Sequence, residues 1–113
     1  MTNVFAVLSD PVRQRIVEVL SSGEHTSGEI VEKVGGEFGI TQSAVSQQLK
    51  VLRDTGFARV RADGRRRFYA LDPAPLMAVD AWVARYRVFW EDALDDLAVE
   101  IERGKAERRA KSN

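Results

Sequence analysis

Cysteine is absent from this 113-residue sequence. That excludes disulfides, thiolate metal sites and thiol-based redox sensing, and it fits a reducing, cytoplasmic setting. No run of apolar residues is long enough to span a bilayer. The opening "MTNVFAVLSDP" lacks a basic stretch followed by a long apolar run, so no export signal is expected. A glycine-rich phosphate loop is missing, and no nucleophile has a base beside it, so the sequence offers an enzyme reading little support. A net charge of either sign is missing too, with 17 basic and 17 acidic side chains. Taken alone, that argues weakly against a nucleic-acid partner.

Distribution matters more than the sum. Residues 57–70 carry Arg59, Arg61, Arg65, Arg66 and Arg67 against Asp63 alone. Residues 91–102 carry Glu91, Asp92, Asp95, Asp96, Glu100 and Glu102 with no basic residue. The neutral total hides a basic middle and an acidic segment near the C-terminus. The content of 44% apolar and 30% charged residues is that of an ordinary globular domain, and the length allows one domain with a modest core.

After a short apolar run at Val4 to Leu8, Asp10 or Ser9 can cap a helix with Pro11 in its first turn. Val12, Ile16, Val19 and Leu20 recur at helical spacing, and Gly23 is a stop. In "TSGEIVEKVGG", Thr26 and Glu29 can form a capping box. Ile30, Val31 and Val34 give its apolar stripe, with Gly35 and Gly36 expected to end the helix. Phe38 in the connector "EFG" is expected to pack down. Thr41 then caps a third helix that ends near Gly56. This helix has two faces. Ile40, Ala44, Val45, Leu49 and Leu52 line one side; Gln42, Ser43, Ser46, Gln47 and Lys50 line the other. A face that meets only water is usually richer in Glu and Lys.

The period then changes. "FARVRADGRRRFYAL" alternates in two arms around Asp63-Gly64, a tight-turn signal, and reads as a hairpin with an arginine-rich tip. Its register, and so the facing of each arginine, stays open. Asp72 or Pro73 restarts helix. One long helix of roughly 30 residues, well beyond the usual 11 or 12, is expected over about 74–104, with the terminal "ERRAKSN" fraying. Both tryptophans lie in it. Leu76, Val79, Trp82, Val83, Tyr86, Phe89, Trp90, Leu94, Leu97 and Ile101, with Phe5 near the start of the chain, are candidates for core or for an interface with a second subunit.

Two helices a few residues apart, followed by a hairpin, form the grammar of a helix-turn-helix with a wing. "LSDPVRQRIVEVL", "SAVSQQLKVLRDTGFARVRADGRRRFYAL" and the tryptophan-bearing last helix resemble the ArsR-type winged-helix regulators over about residues 3–102. Ser46, Leu49, Leu52, Gly56 and Ala58 carry the pattern S-x-x-L-x-x-L-x-x-x-G-x-apolar, and Asp10 to Arg13 carry D-P-x-R. The resemblance implies a mainly α fold with a small β-hairpin. It implies a single domain over 1–113, with a helix-turn-helix at about 26–56, a wing at about 57–71 and a C-terminal dimerisation helix. It also implies a homodimer that binds a palindromic operator in double-stranded DNA and represses transcription, its own promoter being one candidate target. The family's metal sites use cysteines near the recognition helix or Asp and His pairs on the terminal helices. Neither set is present, so the chain resembles the metal-independent, autorepressor-like branch, with no cofactor and no metal. Asp92, Asp95, Asp96, Glu100 and Glu102 read as a solvated helix face. His25, the only histidine, reads as a surface or locally bonded residue.

Within that frame, Gln42, Ser43, Ser46 and Gln47 are the candidate base readers, since glutamine can pair bidentately with adenine and serine serves several bases. Thr41, Lys50, Arg65, Arg66 and Arg67 are candidates for phosphate or minor-groove contact. Gln48 is left open between contacting DNA and flanking it, and Arg13 between helix packing and a DNA-backbone contact. The competing functional readings are a dimeric winged-helix module that binds another protein, and a regulator whose aromatic C-terminal helix senses a small molecule. No effector is identified by these residues.

Overall fold

The structure is a computed structural model that describes residues 3–112. Four helices precede the hairpin: α1 (Val4–Leu8), α2 (Pro11–Ser21), α3 (Ser27–Phe38) and α4 (Gln42–Asp54). A short strand β1 (His25–Thr26) lies between α2 and α3. Strands β2 (Ala58–Asp63) and β3 (Arg66–Leu71) form the wing, and α5 (Ala74–Ala84) and α6 (Arg87–Ser112) complete the chain. The antiparallel sheet has the order β1-β3-β2.

Local chemistry sets the helix starts. Asp10 accepts from the backbone N–H groups of Val12 and Arg13, with Pro11 in the first turn, where a missing N–H costs nothing. Thr26 and Glu29 close a reciprocal capping box on α3. Thr41 Oγ1 accepts from Ala44 N at 3.1 Å and starts α4. These helices and the inner face of the wing enclose one core. Ile16, Ile30, Val34, Val45, Leu49, Leu52 and Phe57 are its most deeply buried side chains, and Ala58 and Tyr69 close it from the sheet.

Several expectations are corrected. The apolar run at Val4 to Leu8, for which the sequence reading set no element, is a helix of its own, capped by Asn3. Helix α3 runs through Gly35 and Gly36 and stops at Gly39, whose φ of 63° is the left-handed cap that glycine adopts freely. Gly35 is where the chain folds back closely: a Cβ there would lie 3.3 Å from Ile40 O. Phe38 does not pack down; it is the last residue of α3 and is exposed.

The long C-terminal helix is two helices, and the chain divides into two compact units, one through Val79 and one from Asp80 onward. At the break, Arg85 N donates to Trp82 O and Tyr86 N to Val83 O, a tightened turn. Neither proline nor glycine marks this break. The aromatic and β-branched residues around it favour helix less than straight-chain residues do. Trp82 and Tyr86 pack across the turn in a tilted arrangement, with ring centroids 4.8 Å apart. The helix also extends past the expected end near residue 104, since α6 continues through Gly104 to Ser112.

Candidate nucleic-acid interface

Helix α4 is anchored by Val45, Leu49 and Leu52, all at most 1% exposed. Burying that stripe turns Gln42, Ser43, Ser46, Gln47 and Lys50 outward, and all five are exposed. Thr41 is exposed as well, its hydroxyl oxygen already serving as the helix cap. Four neutral hydrogen-bonding side chains therefore cover the first turns of a helix held from behind by apolar contacts.

The wing register is now fixed. Ala58 pairs with Leu71, Val60 with Tyr69 and Ala62 with Arg67 on the core-side face; Arg59 pairs with Ala70, Arg61 with Phe68 and Asp63 with Arg66 on the outer face. Gly64 and Arg65 form the turn, with Gly64 at a φ of 62°. The five arginines divide into two sets. Arg59 is tied to Asp72 at 3.1 Å. Arg61 makes a two-pronged contact with Glu24, at 2.6 and 2.9 Å, and its guanidinium lies 4.4 Å from the centre of the Phe68 ring. Each pairing holds its carboxyl, Asp72 or Glu24, below the ordinary value, chiefly through the hydrogen bonds from its arginine. These two arginines brace the base of the wing. Arg65, Arg66 and Arg67 form no ion pair among the described residues and are exposed. They are the set left open to an external anion.

Ser46, Lys50 and Arg67 line one shallow groove between α4 and the wing, together with Ser27, Leu49, Arg53 and Tyr69. Arg67 also joins Arg65 and Arg66 beside the start of α3, where Thr26, Ser27, Gly28, Glu29 and Glu32 form the other wall. Gln42, Ser43 and Gln47 lie on the exposed face of α4 outside both grooves. Arg53 and Ser27 are among the groove residues that sequence reasoning did not place at the site. Arg53 follows Ser46 and Lys50 at helical spacing of four and three, so the sequence did carry that signal. Ser27 arrives through the pairing of β1 with β3, and a two-residue strand has no periodicity to read.

Gln48 and Arg13, whose roles the sequence leaves open, meet each other. Arg13 Nη1 donates to Gln48 Oε1 at 2.8 Å, while its other nitrogens donate to the carbonyls of Val7 and Ala6 at the end of α1. His25 Nδ1 lies 2.7 Å from Gly23 O, a local bond. Asp92, Asp95, Asp96, Glu100 and Glu102 are exposed, and no group of three or more metal-ligating side chains occurs among the described residues. Nor is any helix among them long and apolar enough to cross a membrane. Of the interface candidates, Phe5, Trp82, Tyr86, Phe89, Leu94, Leu97 and Ile101 are exposed, and Leu76, Val79, Val83 and Trp90 are half-buried.

Residues 10–60 match the family described as bacterial regulatory protein, arsR family. The HTH-type transcriptional regulator Rv2034 of Mycobacterium tuberculosis is 37% identical over 91 residues, 80% of this chain and 78% of that protein. The transcriptional repressor SdpR of Bacillus subtilis is 29% identical over 86 residues, 76% of this chain and 91% of SdpR. The homodimeric winged helix-turn-helix DNA-binding domain Mb0332 of Mycobacterium bovis shares the fold with a TM-score of 0.56 at 26% identity, over 75% of this chain and 78% of that one. These relatives are regulators of transcription rather than enzymes. With the helix-turn-helix and the β2–β3 hairpin of that fold, the chain belongs to the ArsR family of bacterial regulatory proteins.

Proposed function

We propose that the protein works as a cytoplasmic homodimer that reads a palindromic operator, including one upstream of its own gene, and blocks transcription there. The observation that carries this reading is the exposed neutral face of α4 beside three arginines without ion pairs. Gln42, Ser43, Ser46 and Gln47 read base edges in the major groove. Thr41, Lys50, Arg65, Arg66 and Arg67 hold phosphates or enter the minor groove.

A second copy is supported by the apolar surface past Val79, where Leu94, Leu97 and Ile101 recur every three or four residues on α6 and are 48–56% exposed. Charge favours self-pairing as well. The first half of α6 is acidic from Glu91 to Glu102, and the last part carries Arg103, Lys105, Arg108, Arg109 and Lys111. An antiparallel pair of such helices sets unlike charges opposite each other. Mb0332 is described as homodimeric, which points the same way. The absence of cysteine supports placement in the metal-independent branch.

Fluorescence anisotropy with DNA from upstream of the gene, at two salt concentrations and with competitor DNA, tests this reading. Competitor-resistant binding by two subunits per site is the expected result. Weak binding that competitor abolishes, together with salt-insensitive capture of a protein through the aromatic helix, would favour the protein-interaction reading instead.

A further inference from the structure

Gln48 lies on the flank of α4 that faces away from the wing. At about 100° per residue, the buried stripe of Val45, Leu49 and Leu52 separates it from the wing-side residues Ser46 and Arg53. A recognition helix in the major groove has a phosphate backbone on each side. On the wing side the cations are plain, with Lys50, Arg53 and Arg67 around one groove. On the other side stands the contact between Arg13 and Gln48.

The chemistry of that contact sets the direction of the amide. A guanidinium only donates, so it must face the oxygen of Gln48, and it does so at 2.8 Å. Arg13 cannot turn aside, because its remaining nitrogens hold the carbonyls of Val7 at 2.8 Å and Ala6 at 3.3 Å. The amide nitrogen Nε2 is thereby directed away from Arg13, and no acceptor meets it among the described residues. No side-chain nitrogen or oxygen shut off from solvent lacks a partner among them, so Nε2 keeps contact with solvent. The result is a half-buried amide whose acceptor end is fixed by a cation and whose donor end is open. A cation on the oxygen also polarises the N–H bonds and makes them better donors.

We propose that Gln48 is a DNA-backbone ligand that donates from Nε2 to a phosphate on the flank opposite the wing, with Arg13 as the residue that orients it. This rests on the DNA-binding reading above. It makes Gln48 a contact without sequence information, in contrast to its neighbour Gln47. It also ties α1 to the grip of α4, since one guanidinium holds both.

The test uses the full chain and a random-sequence DNA duplex, for which base reading contributes nothing. Gln48→Met is expected to bind the duplex about tenfold more weakly, the worth of one hydrogen bond to a charged group. The slope of affinity against salt should stay unchanged, because every cation is retained. Gln48→Glu keeps an acceptor for Arg13 and removes the donor. It is therefore expected to keep the wild-type unfolding temperature and lose at least as much affinity. In an Arg13→Met background, Gln48→Met should cost little further, and Arg13→Lys should restore only part of the loss. If Gln48→Met binds the duplex as tightly as the wild type, the proposal is overturned and the contact is only a brace between helices. If the wild type shows no salt-dependent binding to the duplex, the DNA-binding reading fails first, and the proposal falls with it.

Discussion

The two units of this chain use apolar residues in opposite ways. The unit that ends at Val79 encloses thirteen hydrophobic side chains among its described residues. Among its described residues, the unit that begins at Asp80 fully buries no side chain, although it holds both tryptophans, and Phe89 is 86% exposed. A single protomer thus satisfies the first unit and leaves the second with apolar surface on display. Large exposed apolar surface of this kind marks an interaction site. On the proposed reading, the first unit carries the face that meets DNA, and the second carries the surface that a second copy would cover.

The comparison can be broken hardest at the core. Phe57→Ala removes a side chain that is 1% exposed and should cost about 3–5 kcal/mol, measured by urea unfolding. An equally drastic change in the other unit should act differently. Leu97→Glu is expected to leave the unfolding of the first unit nearly unchanged and to convert the dimer to monomer in sedimentation. Operator affinity should then fall more than tenfold, because two half-sites are no longer bound together.

Smaller effects sharpen the contrast within the wing. Arg66→Ala should lower the slope of log affinity against log salt by about 1 for each phosphate that the arginine neutralises, equally on any DNA sequence. Arg61→Ala removes a brace instead and should loosen the hairpin, seen as faster hydrogen exchange in β2 and β3. The least effect is expected with pH. Arg61 holds the Glu24 carboxyl below its ordinary 4.5. The folded-state value is below the unfolded one, so the pair's contribution is present above the unfolded value and is lost as pH falls through the folded one. Glu24→Gln should therefore lower the unfolding temperature slightly at neutral pH, and the difference should close once the pH drops below 4.5.

Much of the first unit was legible in the sequence because its signals are local. Asp10 with Pro11, Thr26 with Glu29, and Thr41 announce helix starts within four residues of the groups they bond. Alternation around Asp63-Gly64 announces a hairpin. Long-range placement was not legible. Nothing local shows that β1 joins β3, that Arg61 finds Glu24 across 37 residues, or that Arg13 meets Gln48 across 35. The stop of α3 was misread because Gly35 and Gly36 look like breakers. Gly35 instead lies inside the helix, where Ile40 O approaches so closely that an added Cβ would sit 3.3 Å from it. The break at Arg85 and Tyr86 left no glycine or proline to read. In the candidate interface, the outward face of α4 follows from period alone, whereas the division of the arginines into braces and those outside any ion pair needed the register of the wing.

The central claim is that the exposed face of α4 reads DNA sequence. It is tested most directly by the ratio of affinities for DNA upstream of the gene and for a random duplex, measured for the wild type and for Gln47→Ala. The predicted wild-type ratio is about a thousandfold or more. Gln47→Ala should reduce it by about tenfold while leaving binding to the random duplex unchanged. A wild-type ratio near one on DNA that carries the site, or a ratio untouched by Gln47→Ala, would contradict the assignment of α4 as the reading helix.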